Sequence, residues 1–464
     1  MIQKKIVLRF LAASIATSLL MACSESYPGL EYDLTQGNGT IENQDSWSEK
    51  TPIKVFVNEQ DIFIVKDNGT RGMGAFDSND TTNLARLNNA TFYALAFRDG
   101  QYTQGSIDEL KNPTDFRWWS HEDSNGPRSF SDYMVNNNCL LDGPDYNLGL
   151  PMYLLPEGAG MLHTARDVTE EVDEYYYSPV NQQVPYNFFA YYLDDIQPTK
   201  VNRTEESFSY DIEIDGSQDL MCGAAPNLID EIRNGNLGNK WNFLSADEKR
   251  TIENIGGYCT FTANRGIHPE VKMVHLLTRL SFELYPADES ANEIEIDSVN
   301  VESRYKGNLT VAARSIDNIG IEWDDERQPL YLLDAYDGKS KCSPLTPQTV
   351  TFDPVIKENG GSWYDQPHKV IGSSLMLAPD TEYVLRLSCK QTYPINLKDP
   401  SQTKDWIFHP QYTLKLTSGE KFEAGHEYTI KIAVYGLHKI EISIVSVPKW
   451  ERGEDVELDD YDDE

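Results

Sequence analysis

Cysteine and histidine are the residue types here most able to do covalent or metal chemistry, and their spacing argues against most of it. Cys139, Cys222, Cys259, Cys342 and Cys389 are far apart and form no CxxC pair. Structural zinc sites draw paired ligands from short spacings, so no metal is expected. Five thiols cannot all pair with one another; buried, small apolar residues are the expectation, with one or two disulfides open to them in an oxidising compartment. His268 and His275 stand too far apart on a strand or irregular segment to share a metal face, and each reads as a satisfied structural histidine. No HExxH, GxSxG, phosphate-binding glycine loop or GxGxxG after a strand is present. Asp194-Asp195 would point to opposite faces of a strand and reads as a solvated turn. Asp334-Ala335-Tyr336-Asp337-Gly338 lacks the full EF-hand pattern. Neither an enzyme nor a cofactor is expected.

The sixth cysteine is different. Lys4, Lys5 and Arg9 precede an apolar run from Phe10 to Met21, and the run closes on Leu20-Met21-Ala22-Cys23. A basic segment, a short apolar segment and a small residue before the cut make a secretory signal over residues 1–22. The apolar run is shorter than the roughly 20 residues that span a bilayer. Cleavage before Cys23 would leave that cysteine as the new N-terminus. The motif resembles the lipobox of bacterial lipoproteins, which implies lipidation of Cys23, for instance with palmitate, and an outer-membrane lipoprotein precursor exposed at the cell surface.

The formal net charge of -34 over 464 residues repels phosphates, so no nucleic-acid partner is expected. The run Glu451 to Glu464 is the most acidic stretch and reads as a solvated tail. Residues 23–50 are polar and turn-rich, a flexible tether.

Beyond the tether the elements are strands. Ile53 to Val57 and Ile62 to Val65 are β-branched runs, followed by Thr91 to Phe97, Tyr186 to Leu193 and Ser209 to Ile214. Asn227 to Arg233 and Ala246 to Ile255 read as short helices, and the polar section Asp99 to Val184 reads as loops. In the second half, Leu280/Phe282/Leu284, Ile294/Ile296, Tyr383/Leu385/Leu387, Tyr412/Leu414/Leu416, Tyr428/Ile430/Ile432/Val434 and Ile440/Ile442/Ile444 alternate with polar residues, the period of a half-buried antiparallel strand. The expected fold is all-β: two antiparallel β-sandwich domains, residues 51–266 and 267–464, with few short helices. Trp118-Trp119, Tyr175-Tyr176-Tyr177 and Tyr191-Tyr192 either pack this core or form a stacking platform for sugars; aromatic enrichment in strands favours packing.

Several segments together resemble the fimbrillin family, two-domain subunits of type V pili in Bacteroidota. They are Thr70-Arg71-Gly72-Met73-Gly74-Ala75-Phe76, Thr91 to Arg98, Tyr186 to Tyr192, Asp215 to Met221, His275 to Leu280, Ala424 to Ile430, Val434-Tyr435-Gly436-Leu437 and Trp450. The resemblance implies export as a lipoprotein, proteolysis after an arginine, loss of the tether with the first strand, and replacement of that strand by one from a neighbouring pilin subunit. Arg71, with cleavage before Gly72, matches the processing position. A sheet that loses a strand presents unpaired backbone and an apolar groove, a template for another chain. The resemblance thus implies a structural or adhesive pilus subunit, with a host or bacterial surface ligand as a further partner. One departure concerns the donor segment: after Trp450 only Val456 and Leu458 stand among acids, although Ile440 to Val447 offers a second candidate. The competing reading is a lipid-anchored surface glycan-binding protein.

Overall fold

The run Tyr186–Tyr192 shows how the layers are built. Tyr186, Phe188, Ala190 and Tyr192 belong to one hydrophobic core, whereas Phe189 and Tyr191 belong to another. A strand buried on both faces has no use for polar alternation, which is why this run is nearly all apolar and aromatic. The computed structural model describes residues 51–58, 62–64, 76–77, 90–98, 139–141, 148–154, 160–164, 175–177, 182–203, 207–287, 291, 293–313, 315–334, 345–352, 367–396, 399–416, 418–435, 440–447 and 455–456. These belong to the compact unit Lys50–Glu464.

The first core lies inside an eight-stranded sheet. Its strands are β1 (Val55–Val57), β4 (Phe92–Arg98), β5 (Cys139–Leu141), β6 (Leu150–Leu154), β7 (Met161–His163), β8 (Tyr186–Tyr192), β11 (Met221–Ala224) and β12 (Glu270–His275). The order is β5-β4-β6-β7-β1-β12-β11-β8, and β8 also pairs with β4. The pairings therefore close on themselves, with β1 between β7 and β12. Val55, Val57, Phe92, Met152, Leu162 and Met273 fill the interior together with Leu228, Ile252 and Tyr258 from the helical segment. That segment holds α1 (Leu228–Arg233), α2 (Gly238–Asn242), α3 (Ala246–Ile255) and α4 (Thr260–Ala263). Asn227 caps α1, and Ser245 with Glu248 forms a capping box on α3, which stops at Gly256 in the left-handed conformation.

Three further sheets surround the second core. One runs β16-β15-β10-β9, with β9 (Lys200–Arg203), β10 (Ser207–Glu213), β15 (Lys306–Ala313) and β16 (Gly320–Trp323). Another runs β19-β13-β24-β25-β26, with β13 (Thr278–Pro286), β19 (Lys369–Val370), β24 (Glu427–Val434), β25 (Ile440–Val447) and β26 (Asp455–Val456); β20 (Leu375–Leu377) also pairs with β13. The last runs β17-β14-β21-β22, with β14 (Glu293–Arg304), β17 (Arg327–Tyr331), β21 (Glu382–Asn396) and β22 (Asp399–Phe408); β18 (Gln348–Thr351) and β23 (Gln411–Lys415) pair on β14 and β21. Leu280, Phe282, Ile430 and Ile432 from one sheet share a core with Ile294, Val299, Leu385 and Leu387 from the other, as in a sandwich. A small parallel pair joins β2 (Phe63–Ile64) to β3 (Phe76–Asp77).

The all-β expectation holds, with three differences in detail. Among the described residues three pairings are parallel: β1 with β12, β13 with β24, and β2 with β3. The section read as loops contains β5, β6 and β7, each five residues or fewer and so too short to show a period. Strand pairing also crosses the 266/267 boundary, since β12 lies in the sheet of β1 and β15 pairs with β10.

Candidate strand-exchange site

The site is built around β1, whose two faces differ. Val55 and Val57 point into the closed sheet and are buried, and Ile62, just beyond, is fully buried in the same core. Each such aliphatic side chain contributes on the order of 1.5–3 kcal/mol by leaving water. The β1 backbone is held on both sides. Phe56 N–H donates to Pro269 O at 3.0 Å on the β12 side, and Val57 N–H donates to Gly160 O at 2.8 Å on the β7 side. Upstream, Ile53 N–H donates to Tyr175 O at 2.7 Å and Tyr177 N–H to Thr51 O at 2.9 Å. On the other face the Phe56 ring lies 5.9 Å from the ring of His268. Burial, then the charges of Lys54 and Lys240, push the His268 pKa down to about 4; burial and Lys54 also lower that of His163 on β7. The charge of Lys54, the residue just before β1, thus disfavours protonation of both histidines.

The walls of the site are unequal. β12 pairs with β11 over four residues, Met221↔His275 to Ala224↔Lys272, whereas β7 pairs with β6 at only two positions. Gly223 lets β11 approach β12 closely, since a Cβ there would stand 2.1 Å from the Lys272 carbonyl oxygen. At its far end β12 runs into β13 through a buried polar junction. His275 Nδ1 lies 2.9 Å from an Asp219 carboxylate oxygen, and the Asp219 N–H donates to Asp194 at 3.1 Å. Asp194 also accepts from the Tyr192 hydroxyl at 3.0 Å, in a turn where its own φ is +53°. Arg279 Nε donates to Ser374 at 2.8 Å and its guanidinium lies 3.8 Å from Glu427, both partners of the ion pair being buried. The Arg279 N–H donates to His426 O, and Gly425 N–H to Leu277 O. Segments 186–192, 215–221, 275–280 and 424–430, scattered along the sequence, thus meet at one junction.

No protein-family model and no curated protein sequence matches this chain. Solved structures similar to it include a provisionally assigned cell adhesion protein from Bacteroides ovatus, with 11% identity and a TM-score of 0.35, covering 89% of this chain and 100% of that one. The fimbrial anchor protein Mfa2 from Porphyromonas gingivalis shows 10% identity and a TM-score of 0.28, covering 88% of this chain and 99% of that one. The tip fimbrial protein Mfa3 from Porphyromonas gingivalis, with C-terminal truncation, shows 8% identity and a TM-score of 0.26, covering 85% and 98%.

Cys23, Arg71 and Gly72 lie outside the described residues, as do Trp118 and Trp119. Arg71 falls in the connection between β2 and β3. His275 Nδ1 pairs with Asp219, whereas the buried Nδ1 of His268 has no hydrogen-bond partner, contrary to the expectation of a satisfied histidine there. Asp194 occupies the expected turn, but its carboxylate is used internally. Cys222, Cys259 and Cys389 are free and buried, and burial raises all three thiol pKa values, those of Cys222 and Cys389 to about 12. Such thiols are poor nucleophiles and poor ligands. Among the described residues no group of side chains fits a metal, and no helix is long and apolar enough to cross a membrane. Of the sugar-platform candidates, Tyr177, Tyr191 and Tyr192 are buried. The Ile440 to Val447 run is committed to its own sheet, paired with β24 along its whole length. Sequence reasoning missed β7 and β12 as the walls of the site; the alternation in Glu270–His275, with Val271, Met273 and His275 buried, was the available signal for β12.

Proposed function

We propose that this chain is a fimbrial or adhesive subunit of the cell surface, whose activity is assembly rather than catalysis. Cys23 carries the lipid that holds the precursor to the outer membrane. Cleavage between Arg71 and Gly72 separates β1 and β2 from the rest of the chain. The space between β7 and β12 then accepts a strand from a neighbouring pilin subunit, and the assembled subunit meets a host or bacterial surface ligand in the fimbrium.

The observation that carries this reading is the position of β1. It completes a closed set of pairings between two strands that come from elsewhere in the chain. It supplies two buried valines to the interior and precedes the candidate cleavage position. A strand so placed would leave a slot with backbone groups on both walls, and an incoming strand with β-branched residues at alternate positions would restore it. The test is a pair of variants expressed in the native host. Arg71→Ala should leave the subunit on the cell with its N-terminal segment attached and absent from sheared filaments. Cys23→Ala should lower its amount at the outer membrane. Normal incorporation of Arg71→Ala into filaments would overturn cleavage at this position.

A further inference from the structure

We propose that the strand which replaces β1 is selected by direction and by side-chain chemistry: it runs parallel to β12 and turns inward, at alternate positions, a hydroxyl followed by three aliphatic side chains. This selection operates at the slot only if strand exchange takes place as proposed above. The walls of the slot change along its length. At its start the chain lies antiparallel to Tyr175–Tyr177, through a bridge between Pro52 and Tyr176. Further on, β1 lies antiparallel to β7, at Val55↔Leu162 and Phe56↔Met161, and parallel to β12, at Phe56↔Glu270 and Val57↔Val271. A strand turned end for end would meet β12 antiparallel and β7 parallel, and the two kinds of ladder space their hydrogen bonds differently.

The inward positions are 51, 53, 55 and 57, the period of two of an extended chain. Thr51, Val55 and Val57 are buried, and Ile53 packs against the same core. The Thr51 hydroxyl donates to Asn264 Oδ1 at 2.9 Å, whereas Val55 and Val57 share their core with Phe92, Met152, Leu162 and Met273. One end of the slot therefore takes a polar atom and the rest takes hydrocarbon, so the side chains repeat the directional preference of the backbone. Pro52 fits between the first two inward positions because the wall at Tyr175–Tyr177 is served by the Ile53 N–H and the Thr51 carbonyl, and proline has no N–H to leave unpaired. A slip of one residue would turn Lys54 into the core, which fixes the register as well. The occupant that fits is thus a strand of the pattern hydroxyl-x-aliphatic-x-aliphatic-x-aliphatic, with its hydroxyl end at Asn264.

The test is displacement in the full chain, cut once after Arg71 and carrying Val55→Ala and Val57→Ala to weaken the resident strand. The probes are fluorescent synthetic peptides: residues 49–62 in natural order, the same residues in reverse order, and the natural peptide with Thr51→Val or Val55→Asp. The natural peptide should displace the resident fragment and slow hydrogen exchange at residues 160–162 and 270–271. A photo-crosslinker on its first residue should attach near Asn264 rather than near Val271. Reversal should weaken binding by about tenfold or more, the equivalent of about 1.4 kcal/mol. Thr51→Val should cost about fivefold, the loss of one hydrogen bond, and Val55→Asp on the order of a hundredfold or more, because it buries a carboxylate. Failure of the natural peptide to displace even the weakened strand would overturn the proposal, as would equal binding of the reversed peptide or tolerance of Val55→Asp. Strand selection and cleavage in the cell fail separately: normal incorporation of Arg71→Ala into filaments overturns cleavage and leaves these peptide affinities unchanged.

Discussion

Shaving the interior face of β1 should release that strand selectively. Val55 is 0% exposed and Val57 is 3% exposed, both within the core of the closed sheet. Val→Ala removes two carbons, about 1.6 kcal/mol of transfer free energy at about 0.8 per buried methylene, and the unfilled space adds a few tenths or more. Each substitution should therefore cost about 2 kcal/mol, or about thirty-fold in an equilibrium constant at 1.36 kcal/mol per decade. In a chain cut once after Arg71, the fragment carrying β1 is held only by non-covalent contacts. Its escape, followed by labelling the fragment and separating it by size, should be about thirty-fold more favourable for Val55→Ala. The double variant should approach a thousand-fold if the neighbouring sites add, which for residues this close is an upper guide. Val311, 0% exposed on β15 in the second core, supplies the control. Val311→Ala should cost similar global stability and leave fragment release unchanged. Equal release from Val55→Ala and Val311→Ala would refute the idea that β1 leaves as a unit.

The same cut chain should release its fragment more readily in acid. The folded-state pKa of His268 is about 4, below the ordinary 6.5, so the unfolded or strand-free form binds the proton first. The stabilisation is complete above about pH 6.5 and is lost as pH falls towards 4; a titration of fragment release over that window, flat for His268→Phe, would check it. Lys54→Gln should shrink the effect, because that ammonium is one of the charges that disfavour protonation. Asp219→Ala removes the carboxylate 2.9 Å from His275 Nδ1 and should lower stability to urea by about 1–3 kcal/mol. Gly223→Ala places a methyl against the Lys272 carbonyl; about 1–3 kcal/mol should be lost, with faster hydrogen exchange along β11 and β12 than elsewhere.

Legibility in the sequence followed burial. Strands with one wet face, such as β14 and β24, carry their period openly, and the helix caps Asn227 and Ser245 stand at the starts of the helical runs expected from the sequence. β8, buried on both faces, was legible as a β-rich run, but its apolar residues did not reveal that they serve two cores. Periodicity reports which face a residue occupies and says nothing about which strand lies alongside. Hence the parallel neighbour of β1 and the closure of its sheet were invisible until the chain was folded. The proposals for Cys23 and Arg71 rest on local sequence alone: a thiol after a small residue, and an arginine beside glycine. The junction of Asp194, Asp219, His275, Arg279 and Glu427 was not, because its members come from distant segments and no short spacing unites them.

Assembly by strand exchange requires that the first strand be removed from the working protein. The most direct measurement is the N-terminus of the mature chain, recovered from sheared cell-surface material and identified by mass spectrometry. Strand removal at this position gives a start at Gly72 in filament fractions, with the lipid-bearing fragment left behind. An acylated Cys23 as the sole N-terminus, with no release on shearing, would contradict it.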